Sequence, residues 1–163
     1  ANGKLIAGYT SAGEFVSAGI IGATAGSFTI ITFSDKMNDY LQRIKQIDHA
    51  IKTETDQSNE LRVAATKLKS LPTEKAKPEL LSKVAANYKY HIEKITELVF
   101  EKESLDEILQ EYMNNVFVEA NERVYHGVQV TIGEFQEKSL REYGPSRFKY
   151  NERKVHITPL VSI

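Results

Sequence analysis

The side chains able to do acid–base or metal chemistry are few and scattered. Four histidines, His49, His91, His126 and His156, stand among 22 acidic residues, and the chain has no cysteine. A helix presents a metal site with ligands three or four residues apart, and no two of these histidines are so spaced. The lack of cysteine excludes a disulfide, a thiol nucleophile and a thiolate metal centre, and it fits a cytoplasmic protein. His126 alone lies beside a turn glycine, Gly127, where a general base would be exposed. No nucleophile or carboxylate adjoins it, so it reads as structural. The carboxylates follow the solvent faces of charged helices, and none is singled out as half of an acid–base pair. The expectation is a protein that is not an enzyme, with no catalytic residue, no cofactor and no metal.

Phosphate chemistry is the other possibility the sequence raises, through "SAGIIGATAGSFTIITF", Ser17 to Phe33. A phosphate-binding loop needs a lysine and then a serine or threonine directly after its last glycine, but Gly26 is followed by Ser27 and Phe28. The spacing of Gly19, Gly22 and Gly26 also misses the dinucleotide fingerprint. The stretch "FTIITF", Phe28 to Phe33, is a strand by its β-branched and aromatic content. These glycines read as corners in a β-structure.

The elements that would position any site are set by composition and period. With 163 residues, 26% of them charged, the chain can bury a sizeable core yet keeps much surface, which suggests an elongated shape. Its 21 basic and 22 acidic residues are mixed along the length, so there is no electrostatic footprint for nucleic acid or an anionic membrane. No apolar run approaches the ~20 residues that span a bilayer. The opening "ANGKLIAGYTSAG" lacks an initiator methionine and starts inside a Gly-rich pattern, which leads us to expect the C-terminal part of a longer protein.

Three segments emerge. Gly3 to Phe33 alternates small and apolar residues around Ala7-Gly8, Ala12-Gly13, Ala18-Gly19 and Ala25-Gly26. Such punctuation suits a stacked β-solenoid, whose corners need positive φ, and it also fits a β-meander. From Asp35 to about Leu71, Met37, Ile44, Ile51, Ser58 and Ala65 lie seven apart, interleaved with Tyr40, Ile47, Glu54, Leu61 and Leu68, as the a and d rows of a coiled coil do. "LPTEKAKP" breaks the pattern at Pro72 and Pro78. A second seam runs from about Glu79 to Tyr112, with Leu81, Tyr88, Ile95, Lys102 and Leu109 in one row and Val84, His91, Leu98, Leu105 and Tyr112 in the other. Two such helices should fold back as an antiparallel hairpin on the order of 50 Å long. Glu54, Ser58, His91 and Lys102 are polar at seam positions; they either fix register, mark a contact, or sit in a half-solvated seam. After Asn115 the β-pattern returns with Val116, Val118, Val124, Val128, Val130 and Ile132, turns at Gly127 and Gly133, and a last hairpin around Asn151-Glu152-Arg153. The predicted fold class is mixed β and α, a Gly-rich β-solenoid-like body interrupted by a long antiparallel coiled-coil hairpin. Its parts are 1–34 and 115–163 for the body and 35–114 for the hairpin, with the tip at about 72–78.

This order, with "IIGATAGSFTIITF" before the helices and "VYHGVQVTIGEF" after them, resembles the C-terminal region of the flagellar assembly protein A family. The resemblance rests on Ile21-Gly22, Ala25-Gly26 and Thr29 in the first phrase and on Gly127, Val128, Val130, Ile132 and Gly133 in the second. Where the family commonly leads into its first helix with Gly-x-Asp-Pro, this chain has Phe33-Ser34-Asp35-Lys36, in which Ser34 or Asp35 can cap the helix. Where a glycine turn is usual, it has Asn151-Glu152-Arg153, and Asn tolerates that geometry. The resemblance implies a bacterial protein with a non-enzymatic role in motility, in flagellar assembly, placement or its regulation. It carries over no binding residue and no catalytic motif.

The expected activity is binding of another protein, through the hairpin or where it meets the β-body. Val99, Phe100 and Ile108, apolar but outside the seam rows, are the candidate partner-binding residues; they would otherwise widen the seam or cover the body. The chain is expected as a monomer or small homo-oligomer. Two alternatives stand: a fragment of a left-handed β-helix acyltransferase, or a filament-forming β-scaffold. Light scattering separates them, since unlimited growth marks the filament and a fixed trimer with acyl transfer marks the enzyme.

Overall fold

In the computed structural model, residues 3–25, 27–75 and 77–161 are described, so the expected corner at Gly26 lies outside the described residues. Among the described residues the fold is mixed α and β: nine strands in two open sheets, and two long helices. The strands are β1 (Lys4–Leu5), β2 (Gly8–Ser11), β3 (Phe15–Ile21) and β4 (Thr29–Thr32) before the helices, then β5 (Phe117–Val124), β6 (Val128–Ile132), β7 (Phe135–Lys138), β8 (Ser146–Asn151) and β9 (Lys154–Pro159) after them. Helix α1 spans Asp35–Lys69 and α2 spans Pro78–Asn115, with one 3-10 turn, Thr73–Lys75, between them. Pro78 opens α2, where its missing amide hydrogen would have had no helical partner. Leu41–Glu107 forms one compact unit, and the described residues on either side of it form the other.

In the β-containing unit the chain places successive strands from β1 to β6 alternately in two sheets. The orders are β1-β3-β5-β8-β9 and β2-β4-β6-β7. The first three strands of each pair in parallel, Phe15 with Phe117 in one sheet and Thr29 with Val128 in the other. The remaining strands return antiparallel as hairpins. Strict alternation in β6 and β8 turns Val128, Val130, Ile132, Phe148 and Tyr150 inward, where they are buried with Ile21, Ile31, Phe33, Val118 and Val124. Phe135 of one sheet lies 5.3 Å from Tyr150 of the other, ring centre to ring centre. The helix ends that belong to this unit close over Gly133, where a Cβ would sit 2.9 Å from Met37 Cε and 3.0 Å from Met113 Sδ.

The glycines do not all turn corners. Gly8, Gly22, Gly127 and Gly133 have positive φ. Gly19 instead lies inside β3, at a bulge where Ala18 pairs with Ala120 but Ile20 with Arg123. A side chain there would meet Glu122 and the Gly3 carbonyl, so the second glycine of Ala18-Gly19 serves close approach rather than a turn. The last hairpin also departs from expectation. Asn151 stays in the strand, paired with Lys154, and the left-handed conformation falls on Glu152 (φ 49°) and Arg153 (φ 63°). A two-residue loop between antiparallel strands takes positive φ at both central residues, because that twist matches the strands.

Candidate functional site

The second unit consists of parts of α1 and α2 alone. Three contacts tie α1 to α2. Arg43 Nε donates to Glu101 Oε1 at 2.7 Å, Lys102 Nζ to Asp48 Oδ1 at 2.6 Å, and His91 Nδ1 to Glu54 Oε2 at 2.5 Å. Arg43 and Asp48 meet residues 101 and 102, whereas Glu54, further along α1, meets the earlier His91, so the helices lie antiparallel. The α1 rows are buried or half-buried at every position from Met37 to Leu68. The α2 rows are likewise covered, except at Tyr88, which is 36% exposed.

The polar seam residues are each provided with a partner. Glu54 and His91 satisfy one another, Ser58 donates to the Thr55 carbonyl at 2.9 Å, and Lys102 reaches outward to Asp48. That hydrogen bond holds the Lys102 pKa above the usual lysine value. Among the described residues no cluster of three or more His, Cys, Asp or Glu could hold a metal.

Tyr88 stands beside small neighbours. Ala65 and Thr66 on α1 and Ser82 and Ala85 on α2 do not fill the space between the helices, leaving a groove of about 570 Å³. Leu81 and Tyr88 form its apolar wall, and Arg62 and Lys69 its charged rim. Among the described residues no carboxylate lines it.

Of the three candidate residues, Phe100 is 71% exposed, Val99 39% and Ile108 44%. Val99 and Phe100 belong to the helix-pair unit and Ile108 to the other. None lines the groove. The groove residues were not expected from the sequence; the signal that could have found them is the coincidence of Ala65, Ser82 and Ala85 with the lysine-rich stretch "TKLKSLPTEKAK".

The family model for the flagellar assembly protein A beta solenoid domain matches residues 1–155. The chain belongs to this family. Its match spans both sheets and both helices, and the family is one of flagellar assembly proteins, not a known enzyme family. No curated protein and no solved structure matches the chain. No helix among the described residues of this flagellar assembly protein A domain is long and apolar enough to cross a membrane.

Proposed function

We propose that the protein acts in flagellar assembly as a non-enzymatic module of the cytoplasm that binds another protein through the outer face of its helix pair. The observation that carries this reading is Phe100. Its phenyl ring, in the middle of a long helix, is 71% exposed and adjoins the exposed Val99. It stands two positions past Leu98 of the buried row, on the side of α2 turned away from α1, where an apolar anchor serves docking. Val99 and Ile108 are the other candidates for this contact. In this reading the parallel strands are rungs of a β-solenoid, with residues 1–34 and 115–163 forming one body. Residues 35–114 are an antiparallel coiled coil inserted into it. The near balance of charge favours a protein partner over nucleic acid.

The test is capture from bacterial lysate with the wild-type domain and with a Phe100→Glu variant, followed by identification of what is retained. A partner that is retained by the wild type and lost by the variant, with circular dichroism and melting temperature unchanged, supports the reading. Equal retention by both removes Phe100 from the binding surface.

A further inference from the structure

We infer that two copies of this chain pair through their helix pairs, antiparallel, with Val99 of each copy seated in the groove beside Ala85 of the other. The inference goes beyond the reading of Phe100 and does not depend on it.

A two-helix seam needs two apolar rows, and α2 carries a third. Ala85, Ile92 and Val99 are seven apart, one residue after the buried row of Val84, His91 and Leu98. Residues seven apart share a helix face, so the three form one stripe. Helix α1 leaves it uncovered: Ile92 and Val99 are each 39% exposed, and Ala85 opens into the groove. Three apolar rows per helix are what a bundle of more than two helices requires.

Charge identifies the occupant as a second copy. From Glu60 to Lys83, six basic residues stand against three acidic ones, with Arg62 and Lys69 on the groove itself. From Glu93 to Glu107, six acidic residues stand against two basic ones, surrounding Val99. One stretch of the helix pair is therefore positive and the other negative, although the whole chain is almost neutral. Two copies laid antiparallel match each positive stretch to a negative one, whereas a parallel pair would oppose like charges. A two-fold axis beside Ile92 brings Ile92 against its own copy and Val99 opposite Ala85, because both lie seven residues from the axis in opposite directions. The contact is then isologous and closed, which limits it to a dimer.

The chain has no cysteine, so a single introduced thiol reports on one position. The Ile92→Cys variant is expected to form a disulfide-linked dimer under mild oxidation, and the Asp56→Cys variant, on the outer face of α1, to remain uncrosslinked. Sedimentation should show a wild-type dimer that weakens with salt, and Val99→Glu should weaken it by about tenfold or more. The decisive arm uses two charge-reversed variants, Lys67→Glu with Lys69→Glu, and Glu97→Lys with Glu103→Lys. Each alone should be monomeric, and their mixture should form a heterodimer while both keep wild-type helicity. A wild-type monomer at roughly 100 µM in low salt, equal crosslinking at positions 56 and 92, or a mixture that stays apart would overturn the inference.

Discussion

His91 Nδ1 and Glu54 Oε2 lie 2.5 Å apart across the two helices, joining seam positions 37 residues apart in the chain. Both side chains are largely covered, at 18% and 21% exposure, so each satisfies the other where water has little access. Replacing either one by leucine leaves its partner unsatisfied and is expected to cost ~1–3 kcal/mol. The double replacement restores a continuous apolar seam and should equal or exceed wild-type stability. A double-mutant cycle in chemical denaturation checks this. Additive losses would mean the pair does not interact.

Gly22 and Gly127 share a positive φ, 85° and 87°, but differ in their surroundings. A Cβ at Gly22 would lie 2.7 Å from Val128 Cγ2, whereas one at Gly127 meets nothing within 4 Å. Gly127→Ala should therefore lose only the backbone term of ~1 kcal/mol, and Gly22→Ala that term plus an overpacking cost of ~1–3 kcal/mol. Thermal melts of the two variants give the comparison, and equal losses would contradict the packing around Gly22.

The turn between β8 and β9 holds two ordinary residues, Glu152 and Arg153, in the left-handed region. Asn-Gly suits both positions without strain. Glu152→Asn combined with Arg153→Gly is expected to stabilise the protein by about 1 kcal/mol, read as a raised denaturation midpoint. No gain, or a loss, would argue against this turn geometry.

High pH should weaken the fold through two groups. Burial, with Asp35 and Glu14 adding to it, raises the Tyr112 pKa above its ordinary 10.0. Its hydroxyl donates to the Gly13 carbonyl at 2.8 Å. Lys102, hydrogen-bonded to Asp48, is raised above 10.5. Both shifts are upward, so between the unfolded and folded values the unfolded chain has lost a proton that the folded chain keeps. The stability they contribute is complete below pH 10 and falls as pH rises beyond it. Tyr112→Phe should make this loss shallower in denaturation curves taken above pH 10. An unchanged slope would remove Tyr112 from the account.

The helix rows were legible because a seven-residue period is local: Ile47, Leu98 and Leu109 are buried where their spacing puts them. The groove beside Tyr88 was not legible, because it depends on how little Ala65 and Ala85 fill, which period alone does not weigh. The Glu54–His91 contact was hidden for a different reason. Which α1 residue faces which on α2 is set by hairpin register, and that depends on the length of the link around Pro72 and Pro78. In the strands, Val128, Val130 and Ile132 showed their alternation plainly. Gly19 and Gly22 look alike in sequence, and only the bulge opposite Glu122 separates close approach from a turn. In the expected Asn151-Glu152-Arg153 turn, strand pairing keeps Asn151 in β8 and leaves the left-handed positions to Glu152 and Arg153, which residue preferences do not reveal.

The central claim, that the helix pair is the working surface, is tested most directly by motility. Leu41–Glu107 would be replaced by a short Gly/Ser linker in the full-length protein, which would then be expressed in a bacterial strain lacking it. Because the described residues outside this segment form their own compact unit, the shortened protein is expected to accumulate and to unfold cooperatively when purified, yet fail to restore swimming. Restored swimming at wild-type protein levels would contradict the account.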